Sequence, residues 1–180
     1  MDDSAVVAIQ IDREPRSAID VVARCHLGLP VVIAVPPHLD DGTPFPTRYW
    51  LTCPLASRRI ARLESAGGVS EWDRRVADDP AIAASFAAVQ TRYAADRDGL
   101  VDGTAEHSPA GGVGGSRGGV KCLHAHYADH AAGNDNFIGA DTARRIEPLN
   151  CSSPCVVATT EGIVEGNPDW REPDREGGSR

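Results

Sequence analysis

One cysteine and three histidines fall in a single short stretch, 119–130. There a glycine-rich run gives way to Val120-Lys121-Cys122-Leu123-His124-Ala125-His126-Tyr127-Ala128-Asp129-His130. Thiolate and imidazole are the side chains that bind zinc and other borderline metals. A thiol at a helix start is also where backbone dipoles lower a cysteine pKa. Metal binding or thiol chemistry is therefore the first expectation. Helical spacing sorts the cluster. Cys122, His126 and His130 stand at i, i+4 and i+8, drift about 40° per step and share a face. His124 points elsewhere unless a frayed first turn brings it beside Cys122. Two ligands one turn apart can share an ion, but a structural zinc site takes four.

The best remote ligands are Cys25 and Cys53, each expected where a strand gives way to a turn or a helix start. If they meet the loop-to-helix junction at Cys122, the ligand set is Cys25, Cys53, Cys122 and His124, with His130 and Cys155 as substitutes. Zinc is favoured over an iron–sulfur cluster. Cys151 and Cys155 form a C-x3-C pair that can also substitute. Every ligand of the leading set is isolated in sequence, unlike paired C-x-x-C knuckles. Free cysteine is also a common small buried hydrophobe, so inert core thiols stay open. His26, beside Cys25, is ambiguous.

A catalytic thiol rests on different physics. Backbone amides in the glycine-rich run 111–119, with Arg117 and Lys121, would hold an anion. Cys122 would then be the nucleophile, with His124 or His126 as base. No Gly-Lys-Ser/Thr follows the loop, and no arginine follows Cys122 at the spacing of cysteine phosphatases. The balance leans away from an enzyme. Asp129 either orients a neighbouring imidazole or is an ordinary exposed helical aspartate.

The elements that must position these groups read as a single α+β domain. A small antiparallel sheet, a hairpin plus a third strand, packs against four or five helices. The hairpin comes from the β-branched runs 18–23 and 31–35, and the third strand from 47–52, with Tyr49 and Leu51 on one face and Trp50 on the other. A short helix over 17–25 is the rival reading of the first run. Helices are expected over 54–66, 70–77, 80–97, 120–132 and 141–146, with Pro54 at a first helical position and Asp79-Pro80 opening another. Ala56, Ile60 and Leu63 form one core stripe, and Ile82, Phe86, Val89 and Tyr93 another. Arg58, Arg59 and Arg62 face solvent. Residues 1–15 read as a flexible arm, 16–155 as the domain, 99–118 as a flexible glycine-rich loop and 156–180 as a disordered acidic tail.

Among 180 residues the net charge is −8, and Lys121 is the single lysine. No basic run is dense enough for a nucleic-acid footprint. The acidic N-terminal residues lack the basic and apolar regions of a signal peptide, and no apolar run reaches bilayer-spanning length. A soluble cytoplasmic protein is expected, with neither nucleic acid nor membrane as partner. In that reducing compartment its five cysteines are ligands, catalysts or buried thiols rather than disulfides.

Four stretches carry a resemblance: Arg24-Cys25-His26-Leu27-Gly28-Leu29-Pro30, Asp41-Gly42-Thr43-Pro44-Phe45-Pro46-Thr47, Leu51-Thr52-Cys53-Pro54 and Val120-Lys121-Cys122-Leu123-His124. Together they resemble an uncharacterised bacterial family, domain-of-unknown-function family 501, over about residues 14–155. The resemblance implies a small cytoplasmic protein, often encoded near a septum-formation initiator, enolase and an exopolyphosphatase-type enzyme. A protein partner linked to cell division or envelope growth follows from that gene context alone. No activity or catalytic residue comes with it. At Asn136-Phe137-Ile138-Gly139-Ala140 the chain departs from the family pattern, which has proline after the asparagine and an acid after the glycine.

Overall fold

Three antiparallel strands, β1 (Asp20–Arg24), β2 (Pro30–Ala34) and β3 (Tyr49–Leu51), lie in the order β1-β2-β3 in the computed structural model, which describes residues 1–103 and 107–174. The first run is therefore a strand, not a helix. Central β2 is buried along its whole length, as expected of an unbroken β-branched run with both sheet faces covered. Pairing Ile33 with Trp50 and Val32 with Leu51 sets the faces. Val32 and Leu51 join the main core with Leu55, Ile60 and Tyr127, while Ile33, Val35 and Trp50 form a second cluster.

Five helices follow the sheet: α2 (Pro54–Ser65), α3 (Gly68–Asp78), α4 (Pro80–Asp98), α5 (Leu123–Ala131) and α6 (Phe137–Ile146). Their starts obey capping chemistry. Asp79 accepts from the Ala81 and Ile82 amides at 2.8 and 3.3 Å, and Asn136 from the Gly139 amide at 3.0 Å. Helix α5 lies centrally against α6 and β3. Its approach to α6 depends on Gly139, where a Cβ would stand 2.1 Å from the His126 carbonyl oxygen.

Both ends of the chain depart from expectation. Residues expected as a flexible arm form helix α1 (Asp3–Ile11), capped by Asp2 and burying Val6 and Val7 completely. This makes six α-helices among the described residues rather than four or five. Within the expected tail, β4 (Val156–Ala158) and β5 (Val164–Gly166) form a hairpin packed on α1. Val6, Leu29 and Val156 share one cluster. Each of these elements is too short to announce itself by periodicity, and each is ordered by burying the others. Residues 175–180 of the expected tail and 104–106 of the glycine-rich loop lie outside the described residues. No described helix is long and apolar enough to cross a membrane.

Candidate metal centre

Four of the five cysteines, Cys25, Cys53, Cys151 and Cys155, line one small cavity together with Leu29, Leu55, Leu149, Trp170 and Gln10. Different elements deliver each of them. Cys25 follows β1 in a tight loop: its amide donates to Leu29 O at 3.0 Å and its carbonyl accepts from the Gly28 amide at 2.9 Å. Gly28 supplies the left-handed φ of 79° that closes this turn. Cys53 occupies the N-cap of α2 just before Pro54 and is 6% exposed. Cys151 lies in the loop after α6, and Cys155 immediately precedes β4.

Hydrogen bonds hold these segments together. The His26 Nε2 stands 3.0 Å from the Cys151 carbonyl oxygen, and Gln10 Nε2 reaches Cys155 Sγ at 3.6 Å. The Asn167 amide donates to the Cys155 carbonyl at 3.0 Å. Arg59, expected on a solvent-facing surface of α2, is instead 4% exposed. Its guanidinium donates to the carbonyls of Ile146 and Pro148 at 2.6 and 2.7 Å and to Asn150 Oδ1 at 3.1 Å. That fan fixes the loop carrying Cys151. Arg58 stacks on Trp170, and Arg62 pairs with Glu172 at 2.6 Å, so the chain after β5 covers this basic face.

The cavity is apolar and crowded, about 10 Å³ in volume. Burial pushes the Cys53 thiol up to about 11, and the neighbouring Cys155 and Cys151 sulfurs push the same way, against the amides at the start of α2. Cys155 is raised too, first by burial, with the Gln10 donor opposing. Burial thus favours the protonated form of the Cys53 and Cys155 thiols, and a nearby cation would act in the opposite direction. Among the described residues, no three His, Cys, Asp or Glu side chains stand together in ion-holding geometry.

Cys122 and His124 are not part of the cavity, so the expected set of Cys25, Cys53, Cys122 and His124 is not brought together. Cys122 caps α5. The neighbouring Leu123 amide donates to Glu64 Oε1 at 2.5 Å. His124 turns Nδ1 to Glu64 Oε1 at 3.1 Å and Nε2 to the Ser57 carbonyl at 3.2 Å. Both ring nitrogens thus face oxygens of α2, which tie the imidazole to that helix and away from the cavity. Burial, with Glu64 adding to it, pushes the Cys122 thiol up, and Lys121 opposes. That is the reverse of an activated nucleophile. Of the substitutes, Cys155 is in the cavity, while His130 lies on α5 beside Gly139.

The glycine-rich run is folded on itself rather than arranged as an anion cradle. The Gly112 amide donates to Ser116 O at 2.8 Å, the Val113 amide to Gln90 Oε1 at 2.6 Å and the Val120 amide to Asp73 at 2.7 Å. Lys121 Nζ donates to the Gly114 carbonyl. A Cβ on Gly112 would stand 1.7 Å from Gln90 Oε1, so close packing against α4 explains this glycine.

His126 and Asp129 belong to a buried network. His126 Nδ1 donates to Asn136 Oδ1 at 3.0 Å, and Asn136 Nδ2 donates to Asp129 at 2.8 Å. Arg92 pairs with Asp129 from α4. Both Asp129 and His126 are fully buried. Asp129 therefore steadies Asn136, the residue that caps α6, and only through it the imidazole. Gln10 and Trp170 have no place in the sequence expectations, and Arg59 enters them only as a solvent-facing residue of α2. The one signal was a tryptophan isolated in an acidic segment.

A family model described as "Protein of unknown function (DUF501)" matches residues 21–144, and the chain belongs to that family. No curated protein and no solved structure matches it. The matched span includes Cys25 and Cys53 but ends before Cys151 and Cys155.

Proposed function

We propose that this member of the DUF501 family binds one zinc ion through Cys25, Cys53, Cys151 and Cys155. The carrying observation is that four thiols from the β1 turn, the α2 cap and the chain between α6 and β4 line one cavity. Four thiolates around a closed site are a structural zinc set. The volume of about 10 Å³ favours a single ion over a four-iron cluster. The four thiols are not in ion-holding geometry among the described residues, so this reading requires rotamer changes, each moving an Sγ by on the order of 3 Å. The ion would tie the sheet to the chain after α6. The stapled domain then serves as an interaction module, and the division- or envelope-linked partner rests on the family resemblance alone.

Elemental analysis of protein purified anaerobically tests this reading. About one zinc per chain is expected for a closed four-thiolate site. It should be retained by Cys122→Ser and lost from Cys53→Ser and Cys151→Ser. Metal-free protein whose melting temperature ignores added zinc would overturn it. The thiols would then be core side chains, a reading favoured by their packing against Leu29, Leu55 and Trp170.

A further inference from the structure

The cluster formed by Ile33, Val35 and Trp50, on the sheet face away from Val32 and Leu51, does not close on itself. These three side chains, with Ile19 and Phe45, wall a cavity of about 60 Å³. That is several times the roughly 10–15 Å³ a water needs, and well below the roughly 150 Å³ that admits benzene. The space suits a short branched aliphatic side chain rather than an aromatic ring.

Hydrogen bonds and ring packing fix its walls and its rim. Phe45 packs on Trp50 with centroids 5.4 Å apart, and its amide donates to the Pro37 carbonyl at 2.8 Å. The rim is the connector between α1 and β1. There the Arg13 amide donates to the Ala8 carbonyl at 3.0 Å, and the Arg16 carbonyl accepts from the Asp40 amide at 2.9 Å.

Two opposite charges, Arg13 and Glu14, stand side by side on this rim and are exposed. Arg13 lays its guanidinium over the Trp50 ring, 4.5 Å from the centroid. Stacking occupies the face of a guanidinium and leaves its in-plane N–H fork for a carboxylate. Arg16, the other cation here, is already paired with Asp41 at 2.6 Å. Among the described residues neither Arg13 nor Glu14 forms an ion pair. An apolar hole with one unspent cation and one unspent anion at its mouth is complementary to a zwitterion carrying an aliphatic tail.

We infer that this cavity binds a free aliphatic α-amino acid of the valine or leucine type. Its side chain lies between Ile33, Val35 and Trp50, its carboxylate meets Arg13 and its ammonium meets Glu14. The cavity shares no residue with the one lined by the four cysteines, so the inference stands apart from the zinc reading.

Titration of isotope-labelled protein with L-leucine, followed by amide and indole NMR signals, is the test. Leucine should shift the Trp50 indole signal and the amides of Ile19, Ile33 and Val35. Isovalerate and isoamylamine keep the branched tail and one charge each. Each should bind roughly tenfold or more weakly than leucine, the scale of one charge-assisted hydrogen bond. Arg13→Gln should bring leucine down to the affinity of the amine, and Glu14→Gln down to that of the acid. Both side chains are exposed, so neither change should unfold the domain. Leucine that leaves the Trp50 signal unmoved overturns the inference. So does leucine that binds no tighter than isovalerate or isoamylamine, or that binds Arg13→Gln as well as wild type.

Discussion

Mild acid is expected to destabilise this protein through one residue, His126. The ring is fully buried, stacks on Phe86 at 6.0 Å between centroids, donates Nδ1–H to Asn136 and leaves Nε2 without a hydrogen-bond partner. Burial holds its pKa below the usual 6.5, with Asn136 and Asp129 opposing. The unfolded chain then takes up a proton near pH 6.5 that the folded chain refuses. Its contribution is present above the unfolded pKa and is lost as pH falls below it. The ceiling is about 1.4 kcal/mol between pH 7.5 and 5.5, reached if the folded ring stays neutral throughout. The carboxylates with lowered values, Asp3, Asp41 and Glu172, belong to a more acidic window set by ordinary values of 3.8 and 4.5. Urea unfolding at pH 7.5, 6.5 and 5.5, followed by tryptophan fluorescence, measures the loss. His126→Asn places an amide donor where Nδ1 stood and cannot titrate. It lowers stability at every pH but should flatten the profile. The cysteines and the other histidines are shared by both proteins, and their contributions cancel in the difference. Parallel profiles for the two chains would refute the argument.

Arg59→Met should cost about 3 kcal/mol, because the carbonyls of Ile146 and Pro148 lose a charged donor. It should also open the chain beyond residue 146 to protease, and limited proteolysis with mass mapping checks both consequences. Gly139→Ala drives a methyl to 2.1 Å from the His126 carbonyl, so α5 and α6 must part. A loss of about 2–3 kcal/mol in denaturant titration is expected, and an unchanged midpoint would contradict the packing described for these helices.

Local chemistry was legible in the residues themselves. The β-branched runs, the prolines at 54 and 80 and the Asp79 cap act within a turn or a strand, and the three-stranded sheet with helices α2 to α6 follows from them. The stripe Phe86, Val89, Tyr93 is buried as its spacing requires. Arg59 was misplaced because helical periodicity says which face a residue shares, not what covers that face. A loop from beyond α6 supplies its carbonyl acceptors. Helix α1 and the β4–β5 hairpin were missed for the same reason. Each has only a few apolar residues, and their order comes from burying Val6, Leu29 and Val156 against one another.

Residue type alone identified the groups able to bind a metal, since thiols and imidazoles are soft donors wherever they stand. Which of them meet was decided only by tertiary structure. Cys122 and His124 belong to the richest cluster in the chain, yet Cys122 stays at the start of α5 and His124 turns to Glu64 and Ser57, while the isolated Cys25 and Cys53 line a cavity with the C-x3-C pair. Side chains far apart in sequence converge only where the sheet, α2 and the chain after α6 pack. That placement is set by burial of apolar surface and by the Arg59 guanidinium, interactions that no local spacing encodes.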